Sequence, residues 1–216
     1  MPFGSSTKLL PPKFSLAAAA AFLACIGCST PPVAPPEIAR KALARPGPSG
    51  YNRLIFAGDV MLSRGVRKAI VAACDSALPF RKIAPLTSAA DIAFVNLESP
   101  FSDTGPYHEG GLVFHAAPEM ISGLQLAGIA IASTANNHSR DCGSHGVDYT
   151  ISWLRSHGIS PVGSSESEQA THGGVILERH GIRFGFLGYT YDQQNGNWRD
   201  IDRRIAIADP AVVAHD

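Results

Sequence analysis

The chain has 216 residues, 45% apolar and 17% charged, and its 18 basic and 18 acidic side chains cancel. Such a composition describes one ordinary globular domain with room for a proper core, not a disordered chain. A neutral balance without a basic stripe gives no case for nucleic-acid binding.

The first fifty residues read as export and tether. Lys8 and Lys13 precede the apolar stretch from Phe14 to Ile26, which is short for a membrane span. That order is the order of a secretory signal. Leu23-Ala24-Cys25-Ile26-Gly27-Cys28 sets a small residue before each of two cysteines, which resembles a bacterial lipoprotein cleavage site. Residues 1–28 are therefore expected to be a signal peptide of lipoprotein type, lipidated on Cys25 or Cys28. An ordinary signal with incidental cysteines is the other reading. Residues 29–50 contain Pro31, Pro32, Pro35, Pro36, Pro46 and Pro48, a density that favours an extended, semi-rigid linker.

The folded part is expected over 51–216. Asn52 to Ala57 reads as the first strand. Ser63 is placed to cap a helix carrying Val66, Ala69, Ile70 and Ala73 at helical spacing. Phe80 to Ala90 predicts a second helix, started or interrupted at Pro85. Asp91 to Val95 is the next strand, Ser102 to Gly111 a loop, and Leu112 to Phe114 a short extended piece. Pro118 to Ala127 predicts a helix with Pro in its first turn and Gly128 as its stop. Ile129 to Ser133 is a strand, followed by a loop over Ala135 to Gly146. Val147, Ile151 and Leu154 mark a helix ended by Gly158, and Ser164 to Gly173 reads as loop. Val175-Ile176-Leu177 and Arg183 to Leu187 flank His180-Gly181, a hairpin signal. Cys74 and Cys142 are the cysteines of the folded part. A disulfide between them and two unpaired thiols are both open.

Three apolar runs end in chemistry. Leu54 to Ala57 leads to Gly58-Asp59. Ile92 to Val95 leads to Asn96-Leu97-Glu98. Ile129 to Ala132 leads, through Ser133-Thr134-Ala135, to Asn136-Asn137-His138. Short unbroken apolar runs are strands buried on both faces of a parallel sheet. Sites in such sheets form beyond the carboxyl ends of the strands. Hard oxygen donors beside an imidazole suit a divalent metal. His138 is also the natural acid–base group, with Asp141 three residues on as its orienting partner. The bland reading of each residue is a cap or a turn. His108, His145, His157, His172 and His180 sit among polar or Gly-rich residues and read as solvated. Trp153 and Trp198 read as packing residues.

GDVMLSRGV at 58–66, DIAFVNLESPFSD at 91–103, the stretch Phe114–Ser164 with its NNHSRDCG, GIRFGFLGYT at 181–190 and the ending IADPAVVAHD together resemble the CapA-type capsule-synthesis family, the poly-γ-glutamate synthesis proteins. That family looks related to calcineurin-like metallophosphoesterases. The resemblance implies a four-layer α/β/β/α sandwich with mixed sheets and a metal site at the strand ends. It implies Asp59, Glu98 and Asn137 as metal ligands, His138 as acid–base or oxyanion-stabilising group, and Asp141 as its orienter. Met61 stands where the wider superfamily usually has His, and sulfur is a poor ligand for a hard cation. His115 falls where family members often carry a basic residue, so it is read as substrate-facing. The family's later His-containing motifs are absent, so the chain is expected to be C-terminally truncated, as a fragment or naturally.

Two functions follow as expectations. The first is an exported, metal-dependent hydrolase-type protein acting on an anionic polymer or phosphoester, anchored to the membrane by lipid. The second is a non-catalytic structural or polymer-binding component of a capsule-synthesis membrane complex.

Overall fold

The computed structural model describes residues 51–105, 111–191 and 202–216. The signal, lipidation and linker readings, together with His108 and Trp198, lie outside the described residues.

Four parallel strands form the main sheet in sequence order: β1 (Leu54–Asp59), β2 (Ile92–Asn96), β3 (Ile129–Ser133) and β4 (Ser160–Val162). Each new strand lies beside the previous one, so right-handed crossovers carry the connecting helices over a single face. These helices are α1 (Arg64–Ala73), α2 (Ala84–Thr87), α3 (Ile121–Leu126) and α4 (Gly143–Ser156). Ile70, Phe80, Met120, Ile121, Leu124 and Leu154 pack there against Ala93, Val95, Ile129 and Ala132 of the sheet.

The opposite face is covered by an antiparallel hairpin, β5 (Val175–Arg179) and β6 (Ile182–Phe186). Ile92, Ile131 and Val162 meet Phe186, with Val175, Leu177, Phe94 and Phe184 around them. His180 and Gly181 turn the hairpin with φ of 49° and 77°. Two consecutive positive φ values are the type I′ geometry that matches strand twist. Helices, parallel sheet and hairpin give a mixed α/β architecture with two sheets. The described residues include α5 (Glu168–Thr171) and α6 (Pro210–His215) besides.

The second helix, expected over Phe80–Ala90 and interrupted or started at Pro85, is formed as the one-turn α2, shorter than expected and preceded by a 3-10 turn at Leu78–Phe80. Pro85 sits in the first turn of α2, and the Thr87 and Ser88 hydroxyls donate back to the Ile83 and Ala84 carbonyls. Such side-chain bonds compete with helix propagation. The helix expected from Pro118 begins as a 3-10 turn, Pro118–Met120, before α3. Leu112–Phe114 is not a strand; the pairing nearby is an isolated bridge between Phe101 and Ala116. Strand β4 lies in a stretch with no predicted element, and α5 lies inside the expected loop. Cys142 is a free thiol, so no bridge joins it to Cys74.

Candidate active site at the strand ends

The carboxyl ends of β1 to β3 stand abreast because two of the strands carry an extra residue. Phe56 pairs with Phe94, but the next pair is Asp59 with Asn96. Ala93 pairs with Ile129, but the next pair is Phe94 with Ile131. Bulges of this kind shift the phase of a strand and re-aim its side chains, and they recur beside active sites. The result is a row in which Asp59 pairs with Asn96, and Asn96 with Ser133. Past β1 the chains stay locked together. The Val60 amide donates to the Asn96 carbonyl at 2.8 Å and the Glu98 amide to the Val60 carbonyl at 3.1 Å.

An amide bridges the two carboxylates of this row. Asn96 Nδ2 donates to Asp59 Oδ1 and to Glu98 Oε2, each at 2.8 Å. Glu98 is half-buried and Asp59 exposed. Burial, reinforced by the charge of Asp59, pushes the Glu98 carboxyl above its ordinary value, against the opposing effects of His138 and the Asn96 bond.

The loop after β3 supplies the imidazole. Ser139 Oγ donates to the Thr134 carbonyl and accepts from the Asn136 amide, and this closes the loop on itself. His138 is 8% exposed. Its Nδ1 lies 2.7 Å from Asp141 Oδ2, and its Nε2 lies 3.5 Å from Glu98 Oε1. A carboxylate only accepts, so Nδ1 carries a proton and Nε2 is left facing the carboxylate pair. The Phe114 ring stacks on His138 at a centroid distance of 4.0 Å. The Phe114 amide donates to the same Asp141 Oδ2 at 2.6 Å. Burial raises the Asp141 carboxyl above its usual range, and the bonds from Phe114 and His138 pull against it.

Asp59, Glu98, His138 and Asp141 thus gather at one end of one sheet. Asn137 is exposed beside them, while its neighbour Asn136 is buried and turned inward. Met61 has its sulfur engaged by the Ser63 amide at 3.3 Å. His115 is half-buried, with Nε2 3.1 Å from the Asp141 carbonyl. His145 pairs at the surface with Asp103, and Trp153 packs on Tyr149 while donating to the Pro118 carbonyl.

Asn96 and Asn136, which stand at the ends of their apolar runs in the sequence, join the site through their amides, and Phe114, expected only as the end of a short extended piece, completes it. One signal was available: Asn96 and Glu98 are two apart on an extended chain, so they share a side of it.

Among the described residues, no three His, Cys, Asp or Glu side chains have a geometry that could hold a metal ion. The donors present are two carboxylates and an exposed amide. That set suits a hard divalent cation that keeps several of its waters, which proteins hold through one or two carboxylates.

The fold is a mixed α/β fold with a parallel sheet that gathers carboxylates, amide and imidazole at its carboxyl edge, the usual place for a site in such sheets. The match to known families is more specific. Residues 53–212 match the family described as bacterial capsule synthesis protein PGA_cap, and the chain belongs to that family, a member of the metallophosphoesterase-like superfamily. It is similar to two uncharacterized proteins of Sinorhizobium fredii, y4uA and y4sH. Each is 31% identical over 131 residues, which cover 58% of this chain and 27% of the relative. It is also similar to the PGA biosynthesis protein CapA of Bacillus subtilis, 24% identical over 138 residues, covering 62% of this chain and 36% of that protein. The matched part is thus about a quarter to a third of these relatives' length.

Proposed function

We propose that this chain serves capsule-polymer synthesis at the cell envelope, with a metal-dependent hydrolase-type site acting on an anionic polymer or a phosphoester. The observation that carries the reading is the buried His138–Asp141 pair at 2.7 Å, with Nε2 turned to the Asp59–Glu98 end of the sheet. Asp141 fixes the tautomer and orientation of His138, and Phe114 holds the ring plane. Nε2 is then the atom that delivers or accepts a proton at the substrate. Asp59, Glu98 and the exposed Asn137 are the residues that would hold a divalent ion. When bound, such an ion polarises a substrate oxygen and lowers the pKa of water. The proposal includes export through residues 1–28, lipidation at Cys25 or Cys28, and a 29–50 linker that holds the domain off the membrane. Mass spectrometry of exported protein tests this part; free thiols at both positions would remove it.

A second reading has its own support. Met61 spends its sulfur on a local turn, and no three-ligand acidic or imidazole group is present among the described residues. A non-catalytic polymer-binding component of a capsule-synthesis complex would need no more. One experiment separates the two. The full chain is titrated with Mn2+ and assayed on p-nitrophenyl phosphoesters and on poly-γ-glutamate. Under the hydrolase reading, Asp59→Asn weakens Mn2+ uptake, whereas His138→Ala keeps uptake and loses turnover. Polymer binding with no turnover of either substrate selects the second reading.

A further inference from the structure

Two backbone groups set the direction of every hydrogen bond in the amide pair at the strand ends. The Leu97 carbonyl can only accept, and Asn136 Nδ2 lies 2.9 Å from it. The His138 amide can only donate, and it meets Asn136 Oδ1 at 2.9 Å. The Asn136 side chain therefore has one permitted orientation. The same Nδ2 donates to Asn96 Oδ1 at 3.0 Å. Asn96 is thereby oriented in turn, with its own nitrogen facing away from Asn136. That nitrogen has two hydrogens, and each meets a carboxylate, one from Asp59 and one from Glu98.

We propose that Asn96 is a positioning residue whose amide holds Asp59 and Glu98 as a preformed pair, in register with the His138 loop, for a divalent cation. The inference rests on the metal reading given above. Its physical basis is the choice of an amide at this place. Two carboxylates brought together repel, and among the described residues no lysine or arginine pairs with either. A cationic side chain would neutralise the pair and compete with a metal. An amide orients both oxygens and leaves their charge uncancelled. The relay also joins the two halves of the site. Asn136 touches Asn96 on one side and the His138 backbone on the other, so the carboxylates and the imidazole share one frame. The Asn136 bond occupies only Asn96 Oδ1, and both Nδ2 hydrogens are committed to the two carboxylates.

The test is calorimetric titration of the full chain with Mn2+ alone, alongside thermal melting. The variants are Asn96→Ala and Asn96→Ser, with Ser99→Ala as control. Ser99 accepts the buried Leu62 amide at 2.9 Å and has no hydrogen bond to the carboxylates. The parent is expected to take up Mn2+. Both Asn96 variants should bind about 10–100-fold more weakly, the loss typical of groups that orient ligands, while keeping a cooperative melt. Ser99→Ala should melt lower and bind as the parent does. Parental affinity in either Asn96 variant overturns the proposal. So does an equal loss in the control, which would mark general loosening. If neither Asn96 variant melts cooperatively, Asn96 is a fold residue and the positioning role is overturned. A parent that takes up no Mn2+ refutes the underlying metal reading instead, and that outcome is distinct because it appears before any variant is compared.

Discussion

Asp141 can be altered in two ways that remove different things, and the outcomes should diverge. Its Oδ2 accepts from the Phe114 amide at 2.6 Å and from His138 Nδ1 at 2.7 Å, and the residue is 7% exposed. Burial lifts the carboxyl above its ordinary range despite both bonds. The acceptor is therefore needed while the charge is a burden. Asp141→Asn keeps the acceptor and drops the charge, so its stability should lie within about 1 kcal/mol of the parent. Asp141→Ala leaves the buried Phe114 N–H unpaired, which costs about 1–3 kcal/mol, and also frees the imidazole; a total near 2–4 kcal/mol is expected. For a domain of this size that is a fall of roughly 4–16 °C in melting temperature. The pH dependence has a definite sign. A raised folded pKa means that the folded state keeps a proton the unfolded state has released. The parent therefore loses stability as pH rises from the unfolded value near ~3.9 through the higher folded value. The Asn variant lacks this loss, so its stability relative to the parent should climb across that window and then level off. Urea denaturation at a series of pH values reads both effects. If Asn is as damaging as Ala at neutral pH, or if the Asn–parent difference is flat with pH, the account of Asp141 is wrong.

Burial, with the charge of Asp141, pushes the Cys142 thiol up to about 12, so iodoacetamide at mildly alkaline pH should spare Cys142 in the native chain and label it in denaturant, as peptide mass spectrometry would show. Gly163 has φ of +87°, and a Cβ there would lie 2.5 Å from Ala135 Cβ and 2.8 Å from the Gly188 carbonyl. Gly163→Ala should destabilise by about 2–4 kcal/mol, measured by melting. Leu124 is fully buried under the helical layer; Leu124→Ala should lose about 2–5 kcal/mol by urea denaturation without moving Mn2+ affinity.

Much of this fold is legible in the order of residues. Ile129–Ser133 is a strand with the bounds its apolar run suggests, and His180-Gly181 announces its turn because few residue pairs accept two positive φ values. Gly128, with φ of 66°, ends the segment before β3 as expected. Other elements are hidden for physical reasons. Ser160-Pro161-Val162 is too short for a periodic signal, and proline argues against a strand; it is tolerated here because β4 lies at the edge of the parallel sheet. The helix before β2 starts with Pro85 in its first turn, as its sequence allows, but runs a single turn, where hydroxyls bond backwards. At the site, Asp59, Glu98, His138 and Asp141 could be named because carboxylates and imidazoles stand out in a sequence. Asn96 and Asn136 could be placed there but given no role, since what each does depends on which partner each atom meets, and that is decided by strand register.

Register is also where the local rule and the site part company. Side chains alternate along a strand with a period of two, so counting from Phe56 would set Gly58 abreast of Asn96. The extra residue in β1 lets Asp59 take that place instead. The matching irregularity against β2 leaves Ile131 level with Phe94 and Ser133 level with Asn96. Below the β1 bulge and past the β3 one, Phe56, Phe94 and Ile131 stand in one row, and Phe56 and Phe94 lie against Phe186 of the hairpin. Above them, Asp59, Asn96 and Ser133 stand level. A regular ladder could satisfy the apolar row or bring Asp59 to the edge of the site, but not both, because a one-residue slip turns a whole strand over. The β1 bulge separates the two demands. The hydrophobic pattern fixes Phe56 against the hairpin, and the phase shift then presents the Asp59 carboxylate to the Asn96 amide.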